Sequence, residues 1–104
     1  PENITPDMAK EILEAYLKEF NPADDKQQWF DRIKALCEPL GYTPNVKEYK
    51  KNPEAFKGHV GDVSTVIRVA ITGRRNTPDI YEIMQTLGYE ETIKRIDEAI
   101  EILK

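Results

Sequence analysis

Ile67-Arg-Val-Ala-Ile-Thr-Gly-Arg-Arg-Asn-Thr-Pro-Asp-Ile-Tyr-Glu-Ile-Met-Gln-Thr-Leu-Gly88 is the stretch whose reading decides the fold. It reads as the end of one helix, a basic turn, and a second helix with its own start and stop. Ile67, Ala70 and Ile71 lie on one face of a helix, and Gly73 stands where a left-handed residue closes it. Thr77-Pro78-Asp79 then offers a capping hydroxyl, a first-turn proline and an acid matched to the positive end of the helix dipole. Ile80, Ile83, Met84 and Leu87 fall on one face, and Gly88 is the stop.

The same pattern extends outward in both directions. Upstream, Val63 and Val66 complete the stripe of Ile67, Ala70 and Ile71, with Asp62 expected to cap that helix. Downstream, Ile93, Ile96, Ala99, Ile100 and Leu103 predict a last helix from about Glu90. At the other end of the chain, Thr5-Pro6 opens a helix carrying Ala9, Ile12, Leu13, Tyr16, Leu17 and Phe20 on one stripe. Asn21-Pro22 ends it, and Asp24 and Asp25 suit the N-terminus of a second helix with Trp29, Phe30, Ile33, Leu36 and Cys37 inward. That helix is expected to stop near Pro39, with Gly41 just beyond.

Between Gly41 and Gly61 the signal weakens. Asn45 is placed to cap a short helix through Lys51, Asn52-Pro53 breaks it, and Lys57-Gly58-His59-Val60-Gly61 is loop by composition. No segment shows sustained period-two alternation, so the chain is expected to be all-α, a multihelical bundle of five to six helices. We expect residues 1–104 to form a single helical domain, with a possible internal division near 42–61.

Bulk composition narrows the class. The 104 residues suit one small domain, and a 39% apolar content with one Trp, five Tyr and three Phe supports a modest core. The chain starts with Pro1 and shows neither a leader pattern nor a long apolar run, as expected of a piece of a longer soluble protein. A single cysteine, Cys37, excludes an internal disulfide framework and fits a reducing compartment. The net charge of −4 excludes a uniformly basic surface. Divided after Gly58, the halves carry nine basic against eleven acidic residues and six against eight, so any polyanion site must be a local patch.

Chemistry is sparse. His59 has no partners at metal-ligand spacing and is read as a loop histidine bonded to backbone or solvent. Cys37 is read as a small core residue, and the acidic last helix (Glu91, Asp97, Glu98, Glu101) as a solvated face. No phosphate-cradling glycine motif, dinucleotide fingerprint or catalytic constellation occurs. What remains is the opening stretch. Arg68, Thr72 and Arg75 follow at i, i+4 and i+7, with Thr65 alongside, and converge on the turn that Arg74 enters. Guanidinium forks and a hydroxyl suit phosphates or base edges, so nucleic acid is the candidate ligand. The plainer reading is a solvated face whose arginines pair with nearby carboxylates. A helical protein–protein interaction module without nucleic-acid binding is the alternative from another class.

Arg68-Val-Ala-Ile-Thr-Gly73, followed by Asn76-Thr-Pro-Asp79 and Leu87-Gly88, resembles the C-terminal signature of bacterial-type glutamyl-tRNA synthetases, which are class I enzymes. The similarity continues upstream through Tyr49-Lys-Lys-Asn-Pro-Glu-Ala-Phe-Lys-Gly-His-Val-Gly-Asp62 and downstream in Glu90-Glu91 and Lys94-Arg95. It covers roughly the last half to two-thirds of the chain, and the first helices only by pattern.

The resemblance implies an all-helical anticodon-binding domain of a monomeric cytoplasmic enzyme, whose partners are the tRNA anticodon loop and the rest of the synthetase, with no membrane. By the same resemblance, Arg68 approaches the anticodon, Thr77 hydrogen-bonds there, and Pro78 and Ile80 form apolar walls. Such a site is apt for splayed single-stranded bases. Arg74 and Arg75 occupy a turn that is not always basic in the family, and are assigned to phosphate contact. Thr65 stands where some relatives carry an aromatic residue. The nucleotide-binding motifs of His-x-Gly-His and Lys-Met-Ser-Lys-Ser type are absent. ATP and Mg are therefore implied for the parent enzyme, and neither cofactor nor catalysis for this stretch.

Overall fold

In the computed structural model, residues 4–74, 76–77 and 79–103 are described. Arg75 and Pro78 lie outside them. Six α-helices make up the fold among these residues: α1 (Pro6–Glu19), α2 (Lys26–Leu40), α3 (Val46–Lys51), α4 (Val60–Thr72), α5 (Ile80–Leu87) and α6 (Tyr89–Leu103). The bundle is all-α apart from one small pairing of β1 (Tyr42–Thr43) with β2 (Gly58–His59).

The helices start and stop for local reasons. Thr5 accepts a hydrogen bond from the Met8 amide at 3.2 Å, and Pro6 fills the first position of α1. Asp25 caps α2 in a reciprocal box. Its carboxylate accepts from the Gln28 amide at 2.8 Å, and the Gln28 side chain accepts from the Asp25 amide at 3.0 Å. The neighbouring Asp24 does something different. It is buried, with Arg32 forked onto it through Nε and through Nη2 at 3.3 Å. Two adjacent acids that look interchangeable in sequence thus divide into a cap and a buried carboxylate paired with a half-exposed arginine.

Helix α2 stops near Pro39 as expected, ending at Leu40, although Pro39 has no N–H to give the Ala35 carbonyl. Gly41 then closes it at φ 93°, donating to the carbonyls of Cys37 and Glu38. Two helix starts, those of α4 and α5, differ from the sequence expectation. Helix α4 is capped by His59 rather than Asp62. The His59 ring accepts from the Gly61 amide through Nδ1 at 2.9 Å, while Asp62 reaches back to the His59 amide at 3.0 Å. Gly61 is needed there, since a Cβ would stand 2.5 Å from Cε1 of the imidazole. Helix α5 begins at Ile80 with Asp79 as its cap, so Thr77 lies two residues ahead of the cap.

The weak segment between α2 and α4 is also more ordered than expected. Tyr42 pairs with Gly58 and Thr43 with His59 in parallel, and the Lys57 amide donates to the Gly41 carbonyl at 2.8 Å. The Asn45-capped α3 and a 3₁₀ turn over Pro53–Ala55 form the crossover. Tyr42 and Thr43 are buried. Two-residue strands carry no periodicity from which to be recognised.

One core joins the long helices. Ile12 and Leu13 of α1, Ile33 and Cys37 of α2, Val63, Ile67 and Ile71 of α4, and Ile96 of α6 are essentially inaccessible. Each such aliphatic side chain contributes about 1.5–3 kcal/mol on burial. Helix α1 lies centrally against α2, α4 and α6, and α5 packs on α6. No helix among the described residues is long and apolar enough to cross a membrane.

Candidate nucleic-acid interface

The end of α4 is built to make a sharp turn. Gly73 adopts φ 75° and its amide closes on the Val69 carbonyl at 2.8 Å. One residue earlier the hydroxyl of Thr72 donates to the Arg68 carbonyl at 2.8 Å and accepts from the Arg74 amide at 3.1 Å. Thr65 likewise donates to the Gly61 carbonyl at 2.8 Å. The two threonine hydroxyls of the predicted polar face are therefore engaged with backbone.

Arg68 is half-buried, and its Nε is shielded from solvent with no hydrogen-bond partner. A desolvated guanidinium donor left unmatched costs more than an exposed one, and an incoming acceptor recovers that cost. Arg74 is exposed. Among the described residues neither Arg68 nor Arg74 enters an ion pair, contrary to the plainer reading of a face covered by salt bridges. Arg75 lies outside the described residues.

The start of α5 is held from a distance. The Asp79 carboxylate accepts from the Tyr81 amide at 3.0 Å and forms an ion pair with Lys26, the first residue of α2. The Lys26 ammonium, ahead of the helix amides, holds the Asp79 carboxyl below the usual carboxylate range, and the pairing raises Lys26 in turn. The Tyr81 hydroxyl donates to the Asp24 carbonyl at 2.6 Å, and the Tyr81 ring leans on Trp29 with centroids 5.7 Å apart. Trp29 Nε1 donates to the Tyr16 hydroxyl at 2.9 Å, which donates on to Met84 Sδ at 3.6 Å. Burial pushes the Tyr16 phenol up to about 12.

Of the residues the resemblance marked, Thr77 is half-buried just ahead of this cap, and Pro78 lies outside the described residues. Ile80 is 4% exposed, so most of its side chain faces the core and only an edge faces outward. Lys26, Asp24 and Tyr81 were not legible as part of this region. Lys26 and Asp79 are 53 residues apart, and neither residue type signals the pairing.

The remaining candidates have structural roles. His59 caps α4 as described. Cys37 is fully buried, its thiol pushed up to about 11 by desolvation, and Sγ donates to the Ile33 carbonyl at 3.4 Å. Among the described residues no group of His, Cys, Asp and Glu is disposed to hold a metal.

Comparison with known proteins places this architecture in a class. Residues 2–100 match the family described as the anticodon binding domain, and the chain belongs to that family. The individual relatives are glutamate–tRNA ligases. That of Acetivibrio thermocellus is 49% identical over 100 residues, covering 96% of this chain and 18% of the relative. That of Clostridium beijerinckii is 45% identical over 103 residues, covering 98% and 19%. That of Clostridium perfringens is 47% identical over 96 residues, covering 92% and 18%. The chain thus spans about a fifth of the length of these relatives. No solved structure matches. The family match favours anticodon recognition over a helical module confined to protein–protein contacts.

Proposed function

We propose that this chain is the anticodon-reading part of a glutamate–tRNA ligase. Its parent is a cytoplasmic, monomeric enzyme that joins glutamate to tRNA, with ATP and Mg bound in the remainder of the polypeptide. The present residues hold no catalytic group and act together as one unit. They select the tRNA through its anticodon loop.

The observation that carries the reading is the buried, unpartnered Nε of Arg68, one turn before the basic turn. Arg68 donates to a base edge or phosphate of the loop. Thr77 adds a hydrogen bond, and Pro78 and Ile80 supply apolar walls. Arg74 and Arg75 contact the phosphate backbone. Splayed loop bases are read by this mixture of forked donors and apolar surface.

Arg68→Ala in the full-length enzyme tests it. The KM for tRNA should rise roughly ten-fold or more, as for loss of a base-reading arginine, with the KM values for ATP and glutamate unchanged. An unaltered tRNA KM and turnover rejects the assignment. Replacing Arg74 and Arg75 together should flatten the salt dependence of tRNA binding by about one unit of log–log slope for each phosphate no longer neutralised. An unchanged slope removes their phosphate role.

A further inference from the structure

We infer that Lys26 is a positioning residue for anticodon recognition, acting on the α5 start through Asp79; this rests on the reading of the site above.

Asp79 has a conflict built into it. As the cap of α5 it must present a carboxylate to the Tyr81 amide, two residues along the chain from Thr77. An uncompensated carboxylate there repels the polyanion that the turn attracts. Lys26 resolves the conflict by pairing with Asp79 from the first residue of another helix. The side chain of Lys26 remains 64% exposed and that of Asp79 25%, so the pair sits at the surface and neutralises it locally.

The placement of Lys26 is itself fixed. Asp25 caps α2 in its reciprocal box, Asp24 is buried against Arg32, and the Asp24 carbonyl receives the Tyr81 hydroxyl. Trp29, one turn into α2, packs against the Tyr81 ring. The N-terminal turns of α2 and α5 are therefore joined at three points, through Lys26 to Asp79, Asp24 to Tyr81, and Trp29 to Tyr81. Lys26 is the one whose removal changes charge without opening the core. Its ammonium serves the RNA indirectly, by masking Asp79 and fixing the approach to Thr77.

The test is steady-state aminoacylation by the full-length enzyme carrying Lys26→Gln, Lys26→Arg, Lys26→Gln with Asp79→Asn, and Arg68→Ala. Lys26→Gln should raise the tRNA KM about three-fold, the scale of an exposed ion pair, leaving kcat and the KM for ATP unmoved. Lys26→Arg should stay close to the parent enzyme. The double variant should return to near the parent tRNA KM, because asparagine still caps the helix while the stray charge is gone. A double variant as impaired as Lys26→Gln overturns the proposal, since Lys26 then touches the RNA itself. So does an unimpaired Lys26→Gln enzyme beside an impaired Arg68→Ala enzyme. An Arg68→Ala enzyme with an unaltered tRNA KM overturns the reading of the site, and this proposal with it.

Discussion

Arg95 Nη1 donates to the backbone carbonyl of Ile71 at 2.8 Å, while its Nε holds Glu91 at 2.8 Å. One guanidinium of α6 thereby satisfies a carbonyl in the last turn of α4, the end from which the basic turn departs. The Glu91 pairing holds that carboxyl below its ordinary range and keeps the Arg95 fork in place. The basic turn is thus braced from behind by a residue that does not belong to it.

Removing this brace should destabilise the fold. Arg95→Ala leaves the Ile71 carbonyl without its charged donor and should cost about 1–2 kcal/mol in urea unfolding. Arg95→Lys should recover less than half, because one ammonium cannot serve both a backbone carbonyl and Glu91 in a fork geometry. Equal stability of the arginine and alanine forms contradicts the assignment.

The buried relay from Trp29 through Tyr16 to Met84 makes a second prediction. Tyr16→Phe keeps ring volume but strands the Trp29 Nε1 donor beneath α5. The expected loss is about 1–3 kcal/mol, the usual cost of an unsatisfied buried polar group. Trp29 fluorescence should shift as its indole loses the hydroxyl. A variant as stable as the parent places water or another acceptor there.

Gly73 closes α4 at φ 75° with open space where a side chain would stand. Gly73→Ala should therefore lose roughly 1–2 kcal/mol from backbone strain alone, and Gly73→Asn distinctly less, since asparagine tolerates the left-handed region better. If both substitutions prove equal in thermal melts, strain is not what selects glycine.

Stability should also fall at high pH in a defined window. Cys37 rises from 9.0 to about 11 and Tyr16 from 10.0 to about 12, both by burial. Each group stays neutral in the fold while the unfolded chain ionises. Its contribution is complete below the unfolded value and is lost as pH climbs to the folded one. The two groups should together cost several kcal/mol, at about 1.4 kcal/mol per pH unit each. Cys37→Ala should move the onset of alkaline unfolding upward, and an onset that stays put separates Cys37 from it. On the acid side Asp79 and Glu91 are both held low, so their contribution is present above their ordinary values of 3.8 and 4.5 and is lost as pH falls below them. That limb should be shallow, since both pairs are exposed.

The helices, the stripes that face the core, the cap at Thr5, the short Asn45-capped helix and the glycine stops at Gly73 and Gly88 were all legible in the sequence, because each is settled by residues within about four positions of one another. The His59 cap and the Asp79 cap lay three and two residues from where local pattern put them, each decided by geometry that only a built turn displays. Helical spacing already grouped Arg68 with Thr72 and Arg75, and the family resemblance moved the emphasis from Arg74 and Arg75 to Arg68. Tertiary structure alone decided the rest. The parallel pairing of Tyr42–Thr43 with Gly58–His59 is too short for periodicity. Arg95 to Ile71, Lys26 to Asp79, Tyr81 to Asp24 and Tyr16 to Met84 join residues 24, 53, 57 and 68 positions apart. Such pairs arise where packing of apolar faces happens to carry polar groups into reach, so no local pattern announces them. The same packing desolvates Arg68 Nε and leaves it without a partner. The chain's local chemistry determined which segments coil and which faces turn inward. Only their assembly determined which arginine is left with a buried, unpartnered Nε.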